Sequence, residues 1–212
     1  DSRLLDQAYF RLAEYRRAAG DYKAATTQYD LVISKWPQSN LVPHALFGRG
    51  WSRLREQDYA AAETSLTALI SDHADHPLAA QARSARAICR QRLGRYRPGI
   101  EDVNAFVKSK PALKDRVDAL YVRALCEVGL EDFQAAEGTL KAVLADSPHY
   151  ADADKVRYEL AWSLKALKRD AEAAETFAKL AASYPESRLA AEAHYHVAEH
   201  QYEQRAFTEA IH

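Results

Sequence analysis

The stretch LAEYRRAAGDYKAATTQYDLVISKWP at residues 12–37 contains every feature of a pattern that recurs along the chain. A small residue, Ala13, comes first, then a turn at Gly20, then the ring of Tyr22 and a second small residue, Ala25. The same arrangement returns every 37 residues through a chain of 212 residues. A fixed period between about 20 and 50 residues is typical of arrays that stack one structural unit.

Six copies of the unit align without a slip. The ring position holds Tyr22, Tyr59, Tyr96, Phe133 and Phe207, with Asp170 in the fifth copy. The small residue three positions later is Ala25, Ala62, Gly99, Ala136, Ala173 or Ala210. The small residue of the other half is Ala13, Gly50, Ala87, Ala124, Ala161 or Ala198. The predicted units, within a single array over 1–212, are 3–37, 41–74, 78–111, 115–148, 152–185 and a truncated 189–212.

Each unit is predicted to be a pair of antiparallel helices. In the fifth, apolar residues at three-to-four spacing predict a helix from Asp154 to Lys168 and a second through Ala173–Ala181. Proline ends the second helix of four units, at Pro37, Pro111, Pro148 and Pro185. Glycines between paired helices are expected to be left-handed, namely Gly20, Gly94 and Gly129. Because neither helix buries its apolar face alone, the units should stack into an all-α, right-handed solenoid superhelix.

This pattern resembles the tetratricopeptide repeat. The match in the first unit is carried by Tyr9, Leu12-Ala13, Gly20-Asp21-Tyr22, Ala25-x3-Tyr29 and Pro37. The usual repeat has about 34 residues, and here the segment after each proline is longer. The phrase at 184–187, Tyr-Pro-Glu-Ser, resembles longer repeats of bacterial cell-envelope proteins, such as the periplasmic partner of the Tol–Pal system and the outer-membrane assembly lipoprotein. The resemblance implies a scaffold that binds other proteins, and an envelope or periplasmic location.

Composition and charge narrow the classes of partner. The net charge of −1 and pI of about 6.8 argue against nucleic acid. Residues 1–110 carry a net charge of +5 and residues 111–212 one of −6, which could order an end-to-end contact. No apolar run is long enough to span a membrane. Since the sequence begins with Asp and lacks Met, we expect it to be a piece of a longer chain.

The first candidate site is a row of apolar side chains along the first helices, which line the concave groove in tetratricopeptide folds. Its members are Phe10, Phe47, Tyr121, Tyr158 and Tyr195, with Trp51, Leu125 and Trp162 four residues further along the same helix face. Tyr and Trp are favoured anchors for a bound peptide. The alternative interpretation is that these rings only pack between helices.

Two rows of arginine form the second candidate. Arg49, Arg86 and Arg123 are one period apart and are interpreted as structural, with Asp102 the expected partner in the third unit. A second group is predicted to bind an anionic or acidic partner and comprises Arg53, Arg83, Arg90 and Arg92. Its alternative is likewise structural pairing.

Metal, redox and catalytic motifs are weak. His196 and His200 have the i, i+4 spacing of a zinc-binding pair, but no motif supplies a third ligand, so no metal is predicted. Cys89 and Cys126, one period apart, are predicted to be unbridged. The sequence has no nucleophile elbow and no phosphate-binding loop, so neither enzymatic activity nor a cofactor is predicted.

The sequence therefore predicts a non-enzymatic scaffold that binds a peptide or partner domain in its groove. A second hypothesis is an assembly element that forms homo-oligomers through its solenoid ends. A third is an accessory domain of a larger enzyme or envelope-assembly protein.

Overall fold

The computed structural model describes residues 2–204, and within that range the chain forms eleven α-helices and no strand. The helices are α1 (Ser2–Ala18), α2 (Tyr22–Lys35), α3 (Val42–Arg55), α4 (Tyr59–Asp72), α5 (Leu78–Arg92), α6 (Tyr96–Lys108), α7 (Leu113–Gly129), α8 (Phe133–Asp146), α9 (Ala153–Ala166), α10 (Asp170–Ser183) and α11 (Ala190–Glu203). The prediction of an all-α solenoid of helix pairs is confirmed. Phe207 and Ala210 lie outside the described residues.

The chain divides into two compact units, Asp1–Pro111 and Ala112–His212. In the first, α1 to α6 pack each against the next. Its core contains Tyr29 and Val32 of α2 and Leu66 and Leu69 of α4, all fully buried. Apolar side chains at three-to-four spacing therefore place the second helix of each pair between two first helices.

The second compact unit repeats this arrangement with α7 to α11. Leu140 and Val143 of α8 and Phe177 and Leu180 of α10 are fully buried between the flanking first helices. The predicted small positions allow the close approach: Ala13, Ala87, Ala124 and Ala161 have no exposed surface. At Gly50, an added Cβ would lie 2.8 Å from the Leu66 side chain.

Every helix pair turns on one left-handed residue at a single phase of the repeat. These residues are Gly20 (φ 81°), Gln57 (63°), Gly94 (71°), Glu131 (60°) and Lys168 (63°). The expectations for Gly20 and Gly94 are confirmed, whereas the one for Gly129 is wrong because α7 continues through that residue. The turn position is fixed by the helix-pair geometry, even where the side chain is not glycine.

Candidate functional site

A pocket of about 440 Å³ opens on the first helices of the first compact unit. Three residues of the predicted row line it: Phe10 from α1 with Phe47 and Trp51 from α3. Leu78, at the start of α5, completes the apolar wall. The three rings are half-buried, so they contact the core and remain accessible in the pocket.

Gly48 lines this pocket and packs directly against Tyr29. A Cβ at that position would lie 2.4 Å from Cζ of Tyr29, whose ring passes beneath the α3 backbone. The same phase of the repeat holds a side chain in every other unit, namely Arg11, Ala85, Val122, Glu159 and His196. The backbone of α3 therefore forms part of the pocket surface itself.

A hydrogen-bonded group forms the polar side of the pocket. Arg17 donates to Glu14 from Nε (3.3 Å) and Nη2 (2.7 Å), and the buried Tyr29 hydroxyl also donates to Glu14. Burial raises the pKa of Glu14, but the hydrogen bonds from Arg17 and Tyr29 outweigh it and hold the pKa below its usual value. The pocket thus contains an ionised carboxylate whose charge is already balanced.

Two histidines lie at one edge of the pocket. The His44 ring, which lines the pocket, is 6.2 Å from Phe10 and 4.9 Å from His76 between ring centroids. Burial, together with the neighbouring His44 and His73, lowers the pKa of His76.

In the second compact unit, Tyr158, Trp162 and Tyr195 surround His196. The ring of His196 is 4.9 Å from Trp162 and 5.2 Å from Tyr195, and Tyr158 is 6.2 Å from Trp162. Trp162 and Tyr195 are 37% and 62% exposed. Trp162 and Tyr195 are therefore exposed members of the predicted row, whereas Tyr158 is half-buried beside Trp162.

The last two members of the row, Tyr121 and Leu125, are half-buried on α7. Tyr121 packs on the core and lies 6.2 Å from Tyr150. For Tyr121 the packing interpretation describes the observed contacts.

Two members of the first arginine row, Arg49 and Arg86, make the contacts with neighbouring helices that the structural interpretation expects. Arg49 bonds Asp30 (2.7 Å) and Ser65 (3.0 Å), which lie on α2 and α4. Arg86 bonds both oxygens of Asp102 on α6, at 2.7 and 2.8 Å. Arg86 also donates to Thr67 on α4 at 3.1 Å, so the guanidinium groups of Arg49 and Arg86 each connect the helices on both sides of their own. Arg123, the third member of the row, donates to Glu127 of its own helix at 2.6 Å.

The second arginine group does not form one free surface. Arg90 donates from Nε to Glu63 (2.9 Å) and from Nη1 to Asp102 (2.9 Å) and the Pro98 carbonyl (3.1 Å), so these two nitrogens are already engaged. Its side chain is only 17% exposed. We therefore exclude it from the candidate surface.

The remaining arginines of the group differ in surroundings. Arg53 pairs with Asp58 at 3.3 Å. Arg83 is half-buried and Arg92 exposed. Because Arg92 follows Arg90 by two residues, it lies roughly 200° away around α5.

Among residues 2–204, no group of His, Cys, Asp or Glu has an arrangement that could hold a metal ion. Within the same range, none of the helices combines the length and apolar character that crossing a bilayer requires. Cys89 and Cys126 are free and buried, as predicted.

Five pocket residues were not among the predicted site residues: Glu14, Arg17, His44, Gly48 and Leu78. Gly48 could have been found, because it is the one glycine at its phase of the repeat. His44 and Leu78 belong to different units, and only the stacked helices bring them to one pocket.

The stacked helix pairs define a scaffold of the tetratricopeptide type, a class that is typically non-enzymatic, and a tetratricopeptide model matches residues 7–39. A model for the outer membrane lipoprotein family YfiO matches residues 39–201, and the chain belongs to that family. The predicted resemblance to tetratricopeptide and envelope proteins is confirmed. No curated protein matches the chain.

Solved structures share the fold. MamA (41-end) from Desulfovibrio magneticus RS-1 has a TM-score of 0.72 at 17% identity, over 82% of this chain and 92% of that one. A tetratricopeptide repeat protein from Parabacteroides merdae has a TM-score of 0.76 at 19% identity, over 98% and 77%. These similarities establish the fold alone.

Proposed function

We propose that this protein is a non-enzymatic interaction scaffold that binds a polypeptide segment along the groove of its first compact unit. The pocket formed by Phe10, Phe47, Trp51 and Leu78 carries this proposal. Half-buried aromatic side chains held by a helical core are typical of binding hot spots, because they add contact area without having to be ordered on binding. Membership of the outer membrane lipoprotein family supports a cell-envelope location for the complex.

Site-specific photo-crosslinking in cells tests the groove. A photoreactive phenylalanine analogue at Phe47 should capture a defined partner. The same analogue at Thr64, which is exposed on α4, should not. The crosslinked protein would then be identified and purified for binding measurements.

Two tryptophans of the first compact unit supply a matched pair of variants for those measurements. Trp51 lines the pocket, whereas Trp36 stacks on Tyr9 at 5.5 Å and does not line it. Trp51→Ala should weaken Kd roughly thirtyfold, the loss of about 2 kcal/mol expected at a hot spot. Trp36→Ala should leave Kd within about twofold, and equal effects of the two variants would count against the groove.

A specific observation favours a second candidate function, self-association through the N-terminal helix. The face of α1 that has no preceding helix among the described residues exposes Leu5 (51%), Leu12 (40%) and Tyr15 (69%). Light scattering over a range of concentrations tests this candidate, and a monomer throughout would remove it.

A further inference from the structure

The two compact units contain the same set of positions around one site, and they fill it differently. Four periods of 37 residues separate the equivalents. The equivalent pairs are Phe10 and Tyr158, Arg17 and Lys165, Tyr29 and Phe177, Phe47 and Tyr195, and Gly48 and His196. At two further positions the indole and the carboxylate are interchanged between the two sites: Glu14 corresponds to Trp162, and Trp51 corresponds to Glu199. Each site therefore has three phenyl or phenol rings, one indole, one carboxylate and one cation.

In the second compact unit the chain's own His196 occupies the site. Its ring stacks on Phe177 at 4.9 Å and 28°, and meets the edge of Trp162 at 4.9 Å. Its Nδ1 lies 3.1 Å from Glu199 and 3.4 Å from Nζ of Lys165. The side chain is only 10% exposed. This architecture thus holds an imidazole between aromatic faces, with a paired carboxylate beside it.

In the first compact unit the corresponding residue, Gly48, has no side chain. The Tyr29 ring takes the space next to its Cα, and the pocket of about 440 Å³, which Gly48 also lines, opens beside that ring. We propose that this pocket receives a histidine side chain of the bound segment, in its neutral form. The inference rests on the proposed function and specifies what the partner presents to the groove.

The surrounding charges favour a neutral ring. Arg17 already balances Glu14 with two hydrogen bonds, as Lys165 balances Glu199 in the filled site at 2.9 Å. A cationic side chain would approach Arg17 without a free carboxylate to compensate it. A neutral imidazole can donate one N–H to Glu14 and stack on Phe10, Phe47 or Trp51, where aromatic pairs gain from offset or edge-on contacts.

The three tryptophans of the chain allow a direct test by NMR. The indole N–H signal of Trp51 reports on the open pocket, that of Trp162 on the filled one, and that of Trp36 serves as the reference. The probe is 4-methylimidazole, added at a pH well above the ordinary histidine pKa of about 6.5. In the wild type, the Trp51 signal should shift saturably while the Trp36 and Trp162 signals stay in place. A Trp51 signal that does not move overturns the proposal.

His196→Ala should open the second site, so that the Trp162 signal shifts as well. Alanine is compatible with the position, because Ala85 holds it in the third unit and is buried. A cooperative thermal transition shows that the variant is folded. The reverse exchange is the double variant Tyr29→Phe with Gly48→His, which reproduces the Phe177–His196 pair in the first compact unit. In this variant, 4-methylimidazole should no longer shift the Trp51 signal. Retention of that shift contradicts the proposal.

A second ligand tests whether binding requires the nitrogen atoms of the imidazole ring. Toluene presents a ring without a hydrogen-bonding group, and should bind at least tenfold more weakly than 4-methylimidazole. Equal binding overturns the assignment of histidine. If peptides are captured at Phe47 without any preference for histidine, this inference fails and the scaffold stands. If 4-methylimidazole shifts Trp51 but no polypeptide is captured, the proposed function fails instead.

Discussion

Gly48 shows how the absence of one side chain can shape both packing and the surface. The missing Cβ lets the Tyr29 ring pass beneath α3 and donate its hydroxyl to Glu14. Gly48 also lines the pocket, together with Phe10 and Trp51. Gly48 therefore takes part both in the core packing of the first compact unit and in the candidate binding pocket.

Substituting this glycine should destabilise the fold, although glycine is normally unfavourable in a helix. In Gly48→Ala the new methyl would overlap Cζ of Tyr29 at 2.4 Å, so the ring must move. Overpacking of this kind costs about 1–3 kcal/mol of unfolding free energy, measurable by urea denaturation. Gly138→Ala is the matched control, because nothing lies within 4 Å of its added Cβ. The control should gain about 0.5–1 kcal/mol, and a gain at both positions would contradict the packing argument.

Glu199 should make stability depend on pH in the acid range. Hydrogen bonds from Lys165 and His196 lower its pKa from 4.5 to about 2. A carboxyl whose folded pKa is depressed stabilises the fold above its unfolded pKa, and the contribution is lost as pH falls through the folded value. The wild type should therefore lose stability between pH 4.5 and about 2.

Glu199→Gln is the variant for this measurement. It should be less stable than the wild type at neutral pH, and the difference should shrink toward pH 2. Glu175→Gln, at the exposed i, i+4 pair with Lys179, serves as the control and should show a smaller change. A wild-type to Glu199→Gln difference that stays constant across this range would contradict the predicted contribution.

The second helices begin in two different ways. In three units an aspartate caps the helix by accepting from the backbone N–H three residues on, at 3.2 Å in each: Asp21, Asp58 and Asp132. In the other two units an arginine stands at the cap and reaches back to a glutamate one unit earlier. Those pairs are Arg95 with Glu63 and Arg169 with Glu137. In these two repeats, an ion pair with the preceding repeat therefore stands where the others have a local aspartate cap.

Asp102 of α6 lies at the centre of the ionic contacts of α4, α5 and α6. Its carboxylate is 5% exposed and accepts from both Arg86 and Arg90. Asp102→Asn would leave two largely buried guanidinium groups without that charge, and should cost about 3 kcal/mol, the lower end for a broken buried pair. Asp58→Asn, at an exposed cap, should cost less than about 1 kcal/mol. Urea denaturation measures the free energy of unfolding of both variants. Similar losses in the two would show that Asp102 stabilises the fold no more than the exposed Asp58 does.

The helix pairs could be predicted from the sequence because their signals are local. Apolar spacing, aspartate caps and prolines all act within a few residues of the helix they define. The partners of Arg90 could not be predicted in the same way, since Glu63 lies in the preceding unit. The pocket combines residues of three units, from Phe10 to Leu78, and its depth depends on how Tyr29 fits beneath Gly48. That fit is a property of the packed helices, and its sign in the sequence is the single glycine at this phase of the repeat.

For the molecule as a whole, the two buried thiols can report on its two compact units separately. Cys89 belongs to the first and Cys126 to the second, and both have no exposed surface. Burial raises the pKa of each thiol to about 12, so both are protonated and covered at neutral pH. Thiol reagents should therefore react only after the surrounding helices open.

We expect Cys126 to become reactive at a lower urea concentration than Cys89. Its neighbour Glu127 is 3% exposed, and the Oε2 atom of Glu127 accepts no hydrogen bond from any described residue. A buried acceptor without a partner costs about 1–3 kcal/mol, which lowers the stability of the second compact unit.

The measurement uses the variants Cys89→Ser and Cys126→Ser, each of which leaves one thiol. Serine suits the position, because Ser52 and Ser163 occupy it elsewhere and bond the carbonyl one turn before, at 2.9 and 2.8 Å. Labelling of both thiols at the same urea concentration would mean that the two compact units open together. The unpaired oxygen of Glu127 would then lower the stability of both units and not of the second alone.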